Sequence, residues 1–178
     1  MYQEFAEEIE NTARTVMGEV HTALPGEIIS YDAGKGIATV RPIGKFVTSD
    51  NKILTYPNIA EVPVVFPYSG IAEVGIAFPI KPKDSCIIIV SEVELDEWRS
   101  GGESEGSLRF DLTNAVVIPG LLRKGGSLFE KATAENAVVV SAGATLLTIS
   151  DSGITARGDF TVEGNIYYTG EIKRSNGQ

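Results

Sequence analysis

The sequence offers few side chains that could perform acid-base or nucleophilic chemistry. His21 is the only histidine among the 178 residues, so a Ser-His-acid or Cys-His pair could be built only around it. It lies at the junction between a predicted helix and a predicted β-domain, where a packing or surface role is the more common one. We therefore expect that the protein is not an enzyme.

Cys86 is the only cysteine and lies in a strand-like aliphatic run at 86–90. A single cysteine allows neither an intrachain disulfide nor a thiolate cluster for zinc. Because apolar burial raises the pKa of a thiol and disfavours the thiolate, we expect Cys86 to be a core residue and not a nucleophile.

The densest carboxylate group consists of Glu92, Glu94, Asp96 and Glu97. Two such carboxylates could serve acid-base catalysis, and the group could bind calcium, but the spacing of an EF-hand loop is absent. A helix predicted at 94–100 explains them more simply, because acids near the start of a helix complement its dipole.

The overall charge limits the possible partners. The net charge is −9 and the pI about 4.7, so the field around the protein repels phosphate backbones and anionic lipid head groups. Nucleic-acid partners are therefore not expected. No apolar run is long enough to cross a bilayer, and the first twenty residues carry five acids where a signal peptide would be basic and then apolar. We expect synthesis in the cytoplasm without a signal peptide.

Three segments position these residues, namely an N-terminal helix at 1–22, a small β-domain at 23–126 and a tail at 127–178. In the helix, residues at steps of three and four form one stripe, made up of Tyr2, Phe5, Ile9, Thr12 and Val16. This stripe could cover the chain's own β-domain or form a short coiled-coil contact between copies of the chain. Pro25 and Gly26 are expected to end the helix.

Short β-branched runs separated by turn residues dominate the β-domain. The predicted strands are 27–31, 37–43, 59–66, 74–80, 85–90 and 115–118. The segment 34–36 is predicted to be a hairpin turn, since it lacks the rest of a phosphate-binding motif. Five or six such strands with one short helix predict an OB-like barrel, although the helix follows a different strand than in a simple OB fold.

The tail carries the strongest repeat in the sequence. Its glycines fall six residues apart at Gly158, Gly164 and Gly170. Apolar residues keep the same step in two series, Ile154, Phe160, Ile166 and Ile172, and Ala156, Val162 and Tyr168. Earlier in the tail the pairs Val138/Val140 and Ala144/Leu146 are also offset by six. A unit of this kind predicts a short strand followed by a glycine corner, and stacked units form a β-helix.

One chain has too little of this repeat to close a β-helix alone. Exposed on a single ribbon the apolar stripe would invite aggregation, whereas three chains wrapped around one axis would bury it. The sequence therefore predicts a mainly β protein with an N-terminal helix, an OB-like barrel and a C-terminal intertwined trimeric β-helix. The predicted trimer core is Ile154, Phe160, Val162, Ile166, Tyr168 and Ile172.

The β-domain resembles the central spike protein of contractile-tailed bacteriophages. The residues that carry the resemblance are the segments 24–32, 38–42, 62–67, 78–86, 96–98, 110–115 and 118–121. The resemblance implies an OB-like domain beneath the tail-tube hub, followed by a trimeric β-helical needle that is driven through the target cell envelope. It also implies a virion tail baseplate location, with the hub as the partner on the N-terminal side.

The resemblance leaves open what forms the tip of the needle. Needles of the family commonly end in a histidine-x-histidine apex that binds iron, but the tail at 171–178 has no histidine. We therefore expect no cofactor, and a separate tip protein is the preferred explanation. The alternatives are a spike of a secretion-type injection system and an OB-fold nucleic-acid or ligand-binding module. A hexapeptide-repeat acyltransferase is disfavoured because its catalytic histidine is missing from the tail.

Overall fold

The computed structural model describes residues 2–18, 20–47, 51–103 and 110–173. The chain divides into two compact units, Met1–Arg123 and Lys124–Gln178. The last polar residues, 174–178, and the side chains of Tyr2 and Glu4 lie outside the described part.

The first unit begins with the predicted helix, α1 (Tyr2–Gly18). Every described side chain of α1 is exposed, including those of Phe5, Ile9 and Val16. The stripe is therefore not covered by the chain's own sheet. The predicted helix stop at Pro25 and Gly26 is wrong, because the helix ends at Gly18 and both residues lie inside the first strand.

The other elements of the first unit are mostly strands. In chain order they are β1 (Ala23–Asp32), β2 (Ile37–Pro42), β3 (Lys45–Val47), β4 (Ile53–Thr55), β5 (Ile59–Pro63), β6 (Tyr68–Ser69), β7 (Val74–Gly75), β8 (Ser85–Val90), α2 (Leu95–Arg99) and β9 (Ala115–Pro119). The predicted helix at 94–100 and all six predicted strands are present, but the strand expected at 74–80 is reduced to β7.

Five strands form one curled sheet in the order β5–β2–β1–β8–β9, with antiparallel neighbours. The predicted hairpin turn at 34–36 joins β1 and β2, and Gly36 has a φ of +67° there. A parallel bridge joins Val64 to Val117, and the Val65 N–H donates to the Val117 carbonyl at 2.9 Å. The two edges of the sheet thus approach each other, which makes the sheet a half-barrel.

The core of this half-barrel follows from alternation along the strands. In β8 every second residue is buried, beginning with Cys86, and β2 alternates in the same way. The buried hydrophobic residues are Ile28, Ala38, Val40, Ile59, Val62, Cys86, Ile88, Val90, Ala115 and Val117. They come from all five strands, so the sheet curls around its own side chains.

The second unit contains a helix, α3 (Ser127–Ala134), which the sequence did not predict, and a three-stranded antiparallel meander. Its strands are β10 (Val138–Ala142), β11 (Thr145–Ser150) and β12 (Gly153–Arg157). Residues 158–173 form neither helix nor strand. None of the described helices of the chain is both long and apolar enough to cross a membrane.

The early tail differs from the predicted six-residue units. Gly143, with a φ of +63°, reverses the chain between β10 and β11, so the two strands pair antiparallel. Val140 then lies opposite Leu147, and Leu146 lies opposite Ser141. Because neighbouring residues of a strand point to opposite faces, Val140 and Leu146 do not share a face, and their six-residue offset has no structural counterpart here.

Candidate assembly surfaces

The residues that could have carried acid-base chemistry have structural roles. His21 is half-buried, and its ring lies edge-on against Tyr56 with 5.6 Å between the ring centroids. Thr113 donates from its hydroxyl and its backbone N–H to Asp111, and these bonds, with a smaller contribution from His21, hold the pKa of the Asp111 carboxyl below its usual value. Asp111 therefore stabilises the loop before β9, and His21 packs against Tyr56.

Cys86 is fully buried, as the sequence predicts. Loss of solvation raises the pKa of its thiol to about 11, and the negative charge of Glu27 adds to the effect. The thiolate needed for nucleophilic attack is thus strongly disfavoured in the folded chain.

Two acids of the group at α2, Glu94 and Asp96, line a cavity together with the buried side chain of Asn114. Asp96 and Glu97 lie in the first turn of α2, as expected from the helix dipole. Asn114 accepts a hydrogen bond from the Leu95 N–H at 2.9 Å and donates to the Val93 carbonyl at 2.8 Å. Within the described residues, no three histidine, cysteine or acidic side chains are grouped so that they could hold a metal ion.

The meander of the second unit presents one apolar face. Register places Val138 opposite Ile149 and Ile149 opposite Ile154, so these three side chains form a row across all three strands. Leu147 lies between Val140 and Ala156 in the next row on the same face. Val138, Val140, Ile149 and Ile154 are all exposed. We call this the meander face.

The apolar series of the tail continues from this face. Ile154 and Ala156 belong to both, and the predicted core residues that follow are exposed as well, with Phe160 at 76% and Ile172 at 76%. Val162, Ile166 and Tyr168 are likewise exposed. In a single chain, therefore, all six predicted core residues are exposed, and two residues of the apolar series, Ile154 and Ala156, also lie on the meander face. We call the residues 154–172 of the two series the tail stripe.

Two of the three predicted corner glycines have the backbone that only glycine adopts easily. Gly158 has a φ of +120° and Gly164 a φ of +142°, so the same conformation recurs after six residues. A side chain at Gly158 would also lie within 3.2 Å of the Thr145 hydroxyl. Gly170 does not have a φ in this range, and its corner stays a prediction.

Two exposed hairpins of the first unit were not predicted as hairpins from the sequence, although one strand of the second, β7, lies within the strand predicted at 74–80. One is β3–β4, where Val47 pairs directly with Ile53 and both side chains are about two-thirds exposed. The other is β6–β7, which carries exposed Tyr68 and Val74. The other three strands, β3, β4 and β6, are only two or three residues long, too short for an alternation pattern to reveal them.

The curled sheet corresponds to a domain of a known protein family. The sequence model of the family described as phage protein Gp138 N-terminal domain matches residues 24–120. This segment is more than half of the 178-residue chain, and it runs from β1 to the residue after β9. It contains the whole curled sheet and ends before the second unit begins. No curated protein matches the chain.

Proposed function

The chain belongs to the family of phage proteins with the Gp138 N-terminal domain, and on this premise we propose that it forms the trimeric central spike of a contractile tail. In this role it lies beneath the tail-tube hub, in the baseplate, and helps to puncture the target cell envelope. Family membership supports a structural role in the virion. The tail stripe, exposed in the single chain, is the observation that supports the spike.

The tail stripe favours assembly because its exposure is costly. Burial of a large apolar side chain stabilises a protein by about 1.5–3 kcal/mol, and the tail stripe holds several that are exposed in the single chain. Monomeric proteins rarely leave so many large apolar side chains of one segment in water. A threefold wrap brings three such stripes together around one axis, where each covers the other two.

The first unit is suited to form a collar, by which we mean a globular ring at the base of the spike. Its sheet order, with Val64 directly after β5 bridged in parallel to Val117 of β9, agrees with a five-stranded OB-type barrel. The exposed stripe of α1, bordered by Glu7, Glu8 and Glu10, suits a partner with an apolar groove and a basic rim, and we assign this partner to the hub. A rod and a collar act mechanically, so the proposed function needs no catalytic group.

Two measurements test this function. Light scattering of the purified protein is expected to give three times the 19.0 kDa mass of one chain, and a monomer in dilute buffer would disprove the trimer. Gold-labelled antibodies against the first unit should then mark the baseplate end of phage tails in electron micrographs. Labelling along the tail or on the capsid would contradict the proposed location.

A further inference from the structure

The β6–β7 hairpin is an exposed apolar arm. All thirteen residues from 67 to 79 are exposed, and five of them are large hydrophobic residues, namely Tyr68, Ile71, Val74, Ile76 and Phe78. Glu73 is the only charged residue in this segment. We call residues 67–79 the arm. Because the chain has 22% charged residues overall, such a segment is unusually apolar for a surface hairpin.

The arm has a defined conformation in the single chain. At its base, the rings of Phe66 and Phe78 meet edge-on with 5.1 Å between centroids. The Ile76 N–H donates to the Pro67 carbonyl at 3.0 Å. Tyr68 lies so close to Gly75 that a Cβ there would come within 2.7 Å of the ring. A preformed arm loses little conformational entropy when a partner covers it.

The side chains at the tip of the arm are not buried in the single chain, so they add little to its stability. Ile71 is completely exposed, and Val74 and Ile76 are each more than 60% exposed. Their contribution must therefore come from a contact outside the single chain, since exposed apolar groups of this size otherwise promote aggregation.

The β3–β4 hairpin offers a complementary surface. It precedes β5 in the chain whereas the arm follows β5, so the two hairpins leave the sheet from opposite ends of one strand. The paired side chains of Val47 and Ile53 form its apolar face. The segment 45–55 contains Lys45, Asp50 and Lys52 and so has a net charge of +1, and the arm carries the opposite charge at Glu73. The two surfaces thus match in apolar character and in charge.

We propose that the arm of one copy packs against Val47 and Ile53 of the next copy. This inference rests on the proposed trimer. Contacts between two different surfaces of identical chains are heterologous, and around a threefold axis they close into a ring. A stable interface commonly uses about 20–30 residues a side, more than the arm supplies, so the ring of arms acts together with the tail stripe. The first units would then form a closed collar.

Cysteine cross-linking tests this contact in the full-length protein. The double variant Ile71→Cys/Ile53→Cys is treated with a short bismaleimide, which joins two thiols that lie close together. Cys86 should not interfere because it is fully buried and its thiol pKa is raised. Both substituted residues are exposed, so folding should be preserved, which circular dichroism checks. We expect covalent dimers and trimers on a denaturing gel.

The two single variants are the matched controls. In a heterologous contact neither Ile71→Cys nor Ile53→Cys alone places two new thiols together, so each should remain a single-chain band. Cross-linking of Ile71→Cys alone would show that the arms meet one another and would overturn the proposed contact. A protein that is trimeric by light scattering but gives no ladder in the double variant would also overturn it, while leaving the spike intact. A monomeric wild type would instead disprove the proposed function.

Discussion

Gly26 is a position where the core leaves no space for a side chain. A Cβ at this residue would lie 2.7 Å from Cδ1 of Ile88 and 3.0 Å from Sγ of Cys86, and both of those residues are fully buried. The glycine therefore belongs to the packing between β1 and β8, where Gly26 pairs with Cys86. Its role is close approach and not a turn.

We predict that Gly26→Ala lowers the free energy of unfolding by about 1–3 kcal/mol, the usual cost of overpacking. Urea unfolding followed by circular dichroism measures the change. The control is Gly34→Ala in the turn between β1 and β2, where a Cβ would meet only the Asp32 carboxylate at 3.4 Å. Its change should stay within about 0.5 kcal/mol. Equal losses for both variants would contradict the packing explanation.

The raised pKa of Cys86 predicts a pH dependence of stability. In the unfolded chain the thiol ionises near its ordinary value of 9.0, whereas in the folded chain it stays protonated up to about pH 11. The folded state then holds more protons, so the free energy of unfolding should fall as the pH rises between these values. Urea unfolding at a series of pH values tests this, and Cys86→Ala should lose that part of the decline. An identical decline in the variant would refute the assignment to Cys86.

For single residues, the sequence correctly predicted those properties that depend on residues adjacent in the chain. The aliphatic run around Cys86 correctly indicated burial. The need for glycine at position 26 arises from side chains about sixty residues away, so no local pattern contains it. The sequence instead suggested a helix stop there, since glycine after proline commonly marks one.

The buried side-chain amide of Asn114 holds the connection between β8 and β9 in place. Asn114 is 7% exposed, and its side chain bonds the Leu95 N–H and the carbonyls of Val93 and, more weakly, Ser91. These bonds satisfy backbone groups at the start of α2. The N-cap residue of this helix, Glu94, makes no capping hydrogen bond with its own side chain. The Asn114 side chain thus fixes α2 beside the sheet.

We predict that Asn114→Ala destabilises the protein by about 1–3 kcal/mol, because it removes the side-chain partners of the half-buried Leu95 N–H and of the Val93 carbonyl. Asn114→Asp should be at least as harmful, since a carboxylate cannot donate to the two carbonyls. Thermal unfolding of each variant gives the comparison. Asn58→Ala, at an exposed position, serves as the control and should shift the transition little. An unaltered transition for Asn114→Ala would disprove this role.

At the element scale, prediction succeeded where a strand is long enough to alternate. The five sheet strands have five to ten residues, and all five were predicted. The β3–β4 hairpin was missed because its strands have three residues each and its conformation depends on tertiary contacts, such as the ring of Phe46 against Tyr56. The helix α3 was missed because the predicted β-helical tail was begun at residue 127, although the earliest residues of the six-residue repeat are Val138 and Val140.

At the scale of the whole molecule, the two units differ in how much of their structure a single chain completes. The first unit buries a core drawn from five strands. In the second unit no residue is buried among those that the structure describes, although its meander has a regular antiparallel register. The sequence indicated this incompleteness through a repeat too short to close. What it could not indicate is the meander that leads into the tail stripe, because antiparallel pairing depends on the turn at Gly143.

Two adjacent tyrosines allow the proposed trimer to be tested against the single chain. Tyr168 belongs to the tail stripe, whereas Tyr167 lies between stripe positions, and both are exposed in the single chain, at 63% and 89%. If the protein functions as a monomer, replacing either one should have the same small effect.

In the trimer, Tyr168 is expected to lie at the axis, so Tyr168→Ser removes one buried aromatic side chain from each of three chains. Loss of a buried aromatic commonly costs about 3–5 kcal/mol, and here the loss occurs three times in one assembly. We therefore expect Tyr168→Ser to dissociate on dilution or to melt well below the wild type, as measured by analytical ultracentrifugation and calorimetry. Tyr167→Ser should remain trimeric with nearly the wild-type transition, because its ring faces solvent in both states. Equal behaviour of the two variants would show that the tail stripe does not lie at the trimer axis. A more severe effect of Tyr167→Ser would indicate that the opposite face of the tail lies there.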